Sequence, residues 1–208
     1  SAISPWISVP TENAAAYDLY IKARTVFLEG RDEESEVPLQ QMEAFLQSAV
    51  QLDPNFADAW AQLSFVHGLI YGHCYDHTDA RIARARVAID NAVRLAPDSP
   101  VVVGRLGLYH FFAFHNQAKM VEQLGKWARL QPGNPDPYAS MGYGLRRLKK
   151  YPETLAAWRM AAGLDPASVE FAKRPVSMLA DGRRHAEAMI EQRKLSRRPI
   201  TTSGHCWG

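Results

Sequence analysis

The sequence predicts an all-α fold in which pairs of helices repeat along the chain. Four apolar segments, AVQLDP, AVRLAP, WARLQP and AAGLDP, end at Pro54, Pro97, Pro132 and Pro166. The intervals between these prolines are 43, 35 and 34 residues, which suits two helices and their connections. Apolar residues recur at helical spacing in between, as at Ile82, Ala85 and Ala88. Because one helix pair leaves apolar surface exposed, such pairs stack in arrays.

The four prolines also define the expected boundaries of the units. Proline lacks an N–H and clashes with a continued helical turn, so each one stops the helix before it. We expect an array over 14–166, with units at about 14–56, 57–99, 100–134 and 135–168. Nine extra residues in the first interval predict an insertion inside the second unit. We expect 1–13 to be an N-terminal extension or expression remnant, 167–197 a degenerate fifth repeat or capping helices, and 198–208 a flexible tail.

Composition narrows the class of protein. Hydrophobic residues make up 47% of the chain and charged residues 22%, which is typical of a globular protein. No apolar run approaches the roughly 20 residues of a membrane-spanning helix. Two distant cysteines, Cys74 and Cys206, do not form a disulfide framework, so we expect a reducing, cytoplasmic compartment. The net charge of +2 combines −3 over 1–172 with +5 over 173–208, so only the C-terminal segment is basic.

The units resemble the tetratricopeptide repeat (TPR) family. The shared pattern is W/Y-x-x-L/M-G/S, an aromatic or alanine stripe and A-x-x-L-x-P, over roughly 14–166. The resemblance implies a right-handed α-α superhelix (a solenoid) of about four to five helix-turn-helix repeats. Thr154 stands where the family prefers alanine, and Gly104 where a large aromatic residue is usual. The segment PTENAAAYDLYIKAR is similar to the opening of TPR arrays attached to bacterial adenylate cyclases, serine/threonine kinases and winged-helix regulators.

The resemblance implies that ligands bind on the concave face formed by the first helix of each pair. The family's contact positions correspond here to Lys22, Phe65, Leu69, Leu108, Phe111, Phe112, Tyr143, Arg146 and Arg147. Such a groove suits a peptide with hydrophobic anchors and an acidic group or C-terminal carboxylate. Arg146 or Arg147 would bind that group through paired, charge-assisted hydrogen bonds. The alternatives are packing between repeats for the apolar residues and a solvated surface for the two arginines.

One segment contains residues that can bind metal. The sequence HGLIYGHCYDHTD over 67–79 includes His73, Cys74 and His77, and imidazole with thiolate suits zinc. His73 and His77 would share one face if the segment were helical. However, Gly72 precedes them, Asp76 and Thr78 favour a turn, and no second ligand pair has standard spacing. We therefore expect a polar loop, no cofactor and no metal.

These observations predict a protein- or peptide-binding scaffold that is not an enzyme, and that forms the interaction module of a larger bacterial regulatory protein. One alternative is a metal-binding sensor or enzyme that uses 67–79. A second is nucleic-acid contact through the basic segment 173–208, which a solvated capping helix explains equally well. A homodimer through the repeat ends is compatible with this architecture.

Overall fold

A computed structural model describes residues 11–29 and 36–181 of the chain, with side chains as far as Met178. Within these ranges all regular secondary structure is α-helical, which confirms the predicted fold class. The helices are α1 (Ala14–Glu29), α2 (Val37–Leu52), α3 (Ala57–Gly72), α4 (Asp79–Leu95), α5 (Pro100–Phe114), α6 (Gln117–Leu130), α7 (Pro135–Arg147), α8 (Tyr151–Leu164) and α9 (Val169–Asp181). No helix in this described part is both long enough and apolar enough to cross a membrane.

The repeated prolines end the second helix of each pair, as predicted. Helices α2, α4, α6 and α8 each end two residues before Pro54, Pro97, Pro132 or Pro166. The residue between helix and proline has left the helical conformation, with φ −138° and ψ 93° at Asp53, φ −149° and ψ 73° at Ala96, and φ −125° and ψ 83° at Asp165. Proline disfavours the helical region for the residue before it. The sequence therefore determines these four helix ends locally.

The nine extra residues of the first interval are distributed over three elements rather than inserted at one point. Helix α3, the segment 73–78 and helix α4 are 16, 6 and 17 residues long. Their counterparts in the fourth pair, α7, 148–150 and α8, have 13, 3 and 14 residues. The second pair is thus about one helical turn longer throughout.

The chain forms two compact units, 1–127 and 128–208, which are described separately. In the first unit, α3 is the central helix, because it packs against α2, α4 and α5. Residues 61–68 of this helix are buried on every side. Its core neighbours include Met42, Leu46 and Phe56, which are fully buried.

In the second unit, α7 packs against α8, and α8 against α9. The core contains Ala139, Ala161 and Phe171. Helix α9 continues through Pro175, and that proline is buried. The rest of the predicted fifth repeat, the predicted tail at 198–208 and residues 1–10 of the predicted extension lie outside the described residues.

Small residues allow close helix crossings at Gly107 and Gly142. A Cβ atom on Gly142 would lie 2.0 Å from Nε1 of Trp158, so the indole of α8 rests directly on the backbone of α7. That indole N–H donates a hydrogen bond of 3.1 Å to the carbonyl of Ala139. A Cβ atom on Gly107 would lie 3.2 Å from the carbonyl oxygen of Met120 in α6. Gly107 and Gly142 therefore permit close approach of neighbouring helices.

Both departures from the family pattern have structural explanations. A Cβ atom on Gly104 would lie 2.7 Å from the Trp127 ring, so the indole of α6 fills the space of the usual aromatic residue. Thr154 is fully buried. Its hydroxyl donates a hydrogen bond of 2.8 Å to the carbonyl of Lys150. This bond satisfies the buried hydroxyl, a group that alanine does not have.

Candidate peptide-binding surfaces

The predicted groove residues divide between the two units. Lys22, Phe65, Leu69, Leu108, Phe111 and Phe112 belong to the first unit, and Tyr143, Arg146 and Arg147 to the second. We therefore describe one surface in each unit.

Phe65 is the centre of an aromatic cluster on the first unit. Its ring lies 5.6 Å from that of Phe27 in an edge-to-face arrangement, and 6.5 Å from that of Phe112. The guanidinium of Arg105 covers Phe65 with its carbon 4.0 Å from the ring centroid. Arg105 Nε also donates to Gln62 Oε1 at 2.6 Å. Since Phe65 is only 8% exposed, the cluster presents Arg105 and the neighbouring rings rather than Phe65 itself.

Phe112 joins α5 to α3. Cβ atoms on Gly68 and Gly72 would lie 2.6 and 2.8 Å from its ring carbons, so the ring lies against the α3 backbone. Phe111 is half-buried, and its ring lies 5.3 Å from that of Phe112. Leu69 is half-buried beside the core of this unit, and Leu108 is half-buried on α5. These apolar residues therefore serve packing between repeats and leave part of their surface for a ligand.

Lys22 forms an ion pair within α1. Its ammonium group pairs with Asp18 one turn earlier on α1, at 2.7 Å, and both side chains are more than half exposed. The buried residues Ala16, Tyr20 and Ala23 occupy the opposite side of the helix. Lys22 therefore belongs to a solvated surface, because the helical period turns it outwards.

A group of charged and polar residues lies around Asp58 at the start of α3. Burial raises the pKa of Asp58, while a hydrogen bond from the Ser99 hydroxyl, at 3.0 Å, and the charges of Arg24 and Arg105 lower it. Burial and the charge of Asp58 also raise the pKa of Tyr20. The first-unit surface is thus polar at its edge, with two arginines and one carboxyl group.

The second unit contains a cleft of about 240 Å³ between α7, α8 and α9. Its lining residues are Tyr143, Arg146, Trp158, Glu170, Lys173, Arg174, Ser177 and Met178. Of the three groove residues predicted in this unit, Tyr143 and Arg146 line the cleft, whereas Arg147 does not. Tyr143 is 43% exposed, and its ring meets Trp158 edge to face at 5.7 Å.

The cleft has an excess of positive charge. Arg146, Lys173 and Arg174 line it against one carboxylate, that of Glu170. Glu170 is engaged by Arg174, whose Nε and Nη2 atoms donate to its Oε1 at 3.2 and 3.0 Å. The Arg174 guanidinium also covers the rings of Tyr143 and Phe171, at 4.9 and 5.2 Å. A partner with an acidic group therefore matches the cleft in charge.

Segment 67–79 does not place its candidate metal ligands together. Helix α3 ends at Gly72, and Cys74 has a positive φ of 63°, so His73 and His77 do not share a helical face. The His77 ring stacks on Tyr71 at 3.8 Å, and its Nδ1 contacts the carbonyl of that residue at 3.0 Å. Within the described ranges, no three His, Cys, Asp or Glu side chains are grouped to bind a metal.

His67 is instead part of a buried polar network. One guanidinium nitrogen of Arg81, Nη1, donates to Glu43 Oε2 at 2.7 Å and to His67 Nδ1 at 2.9 Å. Arg81 Nε donates to Asp76 Oδ2 at 2.9 Å. The network joins α2, α3, α4 and the connection before α4. The role of His67 is thus to accept a hydrogen bond inside the fold.

Sequence reasoning missed the five lining residues on α9, where the repeat pattern weakens: Glu170, Lys173, Arg174, Ser177 and Met178. The adjacent basic pair Lys173 and Arg174, two residues after Phe171, was the available signal. For the proposed nucleic-acid contact, only residues 173–181 of the basic segment lie within the described ranges.

These features define a helical-repeat protein. Its helix pairs end at prolines, small residues stand at the helix crossings, and a cleft lies beside the first helices of the pairs. Similar solved structures have the same fold. TTC0263, a thermophilic TPR protein of Thermus thermophilus, matches with a TM-score of 0.64 and 16% identity, over 81% of this chain and 84% of that one. The chain therefore has the TPR fold.

Two further structures support this fold. PilF of Pseudomonas aeruginosa matches with a TM-score of 0.63 and 15% identity, over 88% of this chain and 76% of that one. MamA of Desulfovibrio magneticus RS-1 (residues 41 to the end) matches with a TM-score of 0.57 and 15% identity, over 90% and 98%. No family model and no curated protein matches the sequence.

Proposed function

We propose that this chain is a non-catalytic scaffold that binds another protein or peptide. The observation that carries the proposal is the cleft of the second unit, where exposed Tyr143 and cationic Arg146 meet buried Trp158. Aromatic residues and arginine contribute most to binding energy at protein interfaces. The TPR fold supports the proposal, since its stacked pairs present extended surfaces to a partner.

The partner is a polypeptide with hydrophobic anchors and an acidic group or C-terminal carboxylate. In the cleft, Trp158 and Met178 supply apolar contact, and three cationic side chains outnumber Glu170. In the first unit, Arg105 over Phe65 offers a second aromatic and cationic surface. We also propose that the chain works in the cytoplasm as the interaction module of a larger bacterial signalling protein. The resemblance of its first repeat to arrays in such regulators supports this role.

The experiment compares two neighbouring arginines of α7. Short fluorescent peptides with apolar and acidic residues, with free or amidated C-termini, are titrated against wild type, Arg146→Gln and Arg147→Gln by anisotropy. Loss of a charge-assisted hydrogen bond weakens binding about tenfold or more. We expect this loss for Arg146→Gln, which removes a cationic group from the cleft. For Arg147→Gln we expect binding to weaken less than about twofold, because exposed surface charges contribute little.

The control is the circular dichroism spectrum of both variants, which must match that of wild type. A change in affinity then reflects binding rather than loss of folded protein. Absence of binding by every peptide, or equal weakening by both substitutions, would overturn the proposal.

A further inference from the structure

We infer that the cleft of the second unit receives a glutamate side chain of the partner, whose carboxylate binds Nη1 of Arg174. The inference rests on the proposed function and specifies its recognition chemistry. It assigns the central contact to α9 rather than to α7, where the sequence placed it.

Arg174 has one hydrogen-bonding edge in use and one without a partner. Its Nε and Nη2 atoms both donate to Glu170. Its Nη1 atom is buried and has no hydrogen-bond partner among the described residues. An arginine carries five N–H donors in a rigid fork, and leaving a buried charged donor unpaired is unfavourable. Binding of an acceptor at Nη1 therefore satisfies a group that the fold leaves unsatisfied.

The guanidinium is held in place before the ligand arrives. The rings of Tyr143 and Phe171 lie 4.9 and 5.2 Å from it, and Glu170 fixes its opposite edge. Pre-organisation of this kind lowers the entropic cost of binding. The unbranched side chains of Lys173 and Met178 line the same cleft and can change rotamer as a ligand enters.

Charge selects an anionic ligand. Neither Arg146 nor Lys173 forms an ion pair with an acidic side chain among the residues that the structure describes, and both line the cleft beside Arg174. The only carboxylate in the lining, that of Glu170, already pairs with Arg174. A ligand carboxylate consequently meets three cationic side chains and one carboxylate, a net excess of two positive charges.

Size and depth favour a glutamate side chain. The cleft of about 240 Å³ is smaller than the roughly 300–1,000 Å³ of sites for drug-sized ligands, and this size suits one side chain of a partner. The side chain of Arg174 is only 16% exposed. A carboxylate on two methylene groups reaches such a recessed nitrogen more readily than a main-chain carboxylate flanked by its own side chain. The methylenes would pack on Trp158 and Met178.

The test is a double-mutant cycle on the full chain. The probes are N-acetylated, C-amidated peptide pools with one fixed central residue, glutamate or glutamine, and hydrophobic residues randomised around it. The proteins are wild type, Arg174→Gln and Arg174→Lys. We expect the glutamate pool to bind wild type about tenfold or more tightly than the glutamine pool, as expected for one charge-assisted bond.

The same cycle separates the contact from a general structural effect. Arg174→Gln should reduce binding of the glutamate pool to the level of the glutamine pool, and leave binding of the latter within about twofold. Arg174→Lys keeps the charge without the fork and should retain part of the preference. The Arg174→Lys variant also tests the contact if Arg174→Gln lowers the stability of the fold.

Three results would overturn the inference. In the first, peptides bind but wild type does not distinguish glutamate from glutamine. In the second, a peptide with a free C-terminus and no acidic side chain binds as tightly as the amidated glutamate pool. In the third, Arg174→Gln weakens both pools equally. Each leaves the proposed function intact, whereas absence of binding by any peptide contradicts the proposed function itself.

Discussion

Acidification should destabilise the first unit through His67. This side chain is only 3% exposed. Its pKa is lowered from 6.5 to about 4, chiefly because burial disfavours the imidazolium; Glu43 opposes the shift, and Arg81 adds to it. The hydrogen bond from Arg81 to Nδ1 gives the same result, since that nitrogen must be unprotonated to accept it.

The direction of the change in stability follows from the difference between the pKa values of His67 in the folded and unfolded chain. Between pH 6.5 and 4 the unfolded chain binds a proton at His67 that the folded chain does not. The free energy of unfolding therefore falls as the pH drops through this window, and the loss is complete below about pH 4. A shift from 6.5 to about 4 corresponds to about 3 kcal/mol.

The assay is urea unfolding followed by circular dichroism, on wild type and on His67→Asn, from pH 7.5 to 4. The asparagine oxygen can accept the bond from Arg81 without a proton of its own to gain. Carboxyl groups remote from residue 67 contribute equally to both proteins, so the difference in unfolding free energy reports the network of His67 with Glu43 and Arg81. We expect wild type to lose about 3 kcal/mol more than the variant across this window. A difference that stays constant with pH would refute the reasoning.

Two predictions concern the helix crossings, with unfolding free energy as the measurement. Gly142→Ala places a Cβ atom 2.0 Å from Trp158 Nε1 and should lower the unfolding free energy by about 1–3 kcal/mol. Gly163 has open space around it, so Gly163→Ala should stabilise α8 by roughly 0.5–1 kcal/mol. Equal effects at both glycines would contradict the crossing. Trp127→Ala removes the indole that rests on Gly104 and should cost about 3–5 kcal/mol; a loss below about 1 kcal/mol would show that the ring contributes little to packing.

Much of the architecture was predictable because it depends on local chemistry. The prolines at the ends of α2, α4, α6 and α8 act on the residues beside them. Apolar periodicity marks the buried side of each helix. Gly142 leaves no room for a Cβ atom beside Trp158, and a Cβ atom at Gly107 would lie tightly against Gln123 and Met120.

The candidate site was predictable in part. Tyr143 and Arg146 line the cleft of the second unit, but their neighbour Arg147 does not. Consecutive side chains on a helix point about 100° apart. A one-residue error in the repeat alignment therefore assigns the neighbouring arginine to the cleft. Lys22, on α1, is exposed and pairs with Asp18, so its contact with a ligand stays a prediction.

The sequence by itself determined that this chain is an array of helix pairs, where most second helices end and which small residues permit close crossings. The tertiary structure alone decided the chemistry of the surfaces. It made His67 a buried acceptor for Arg81, and it left a buried donor of Arg174 without a partner among the described residues. The physical reason is range: helix ends depend on adjacent residues, whereas hydrogen bonds and burial depend on side chains that meet only after separate helices pack.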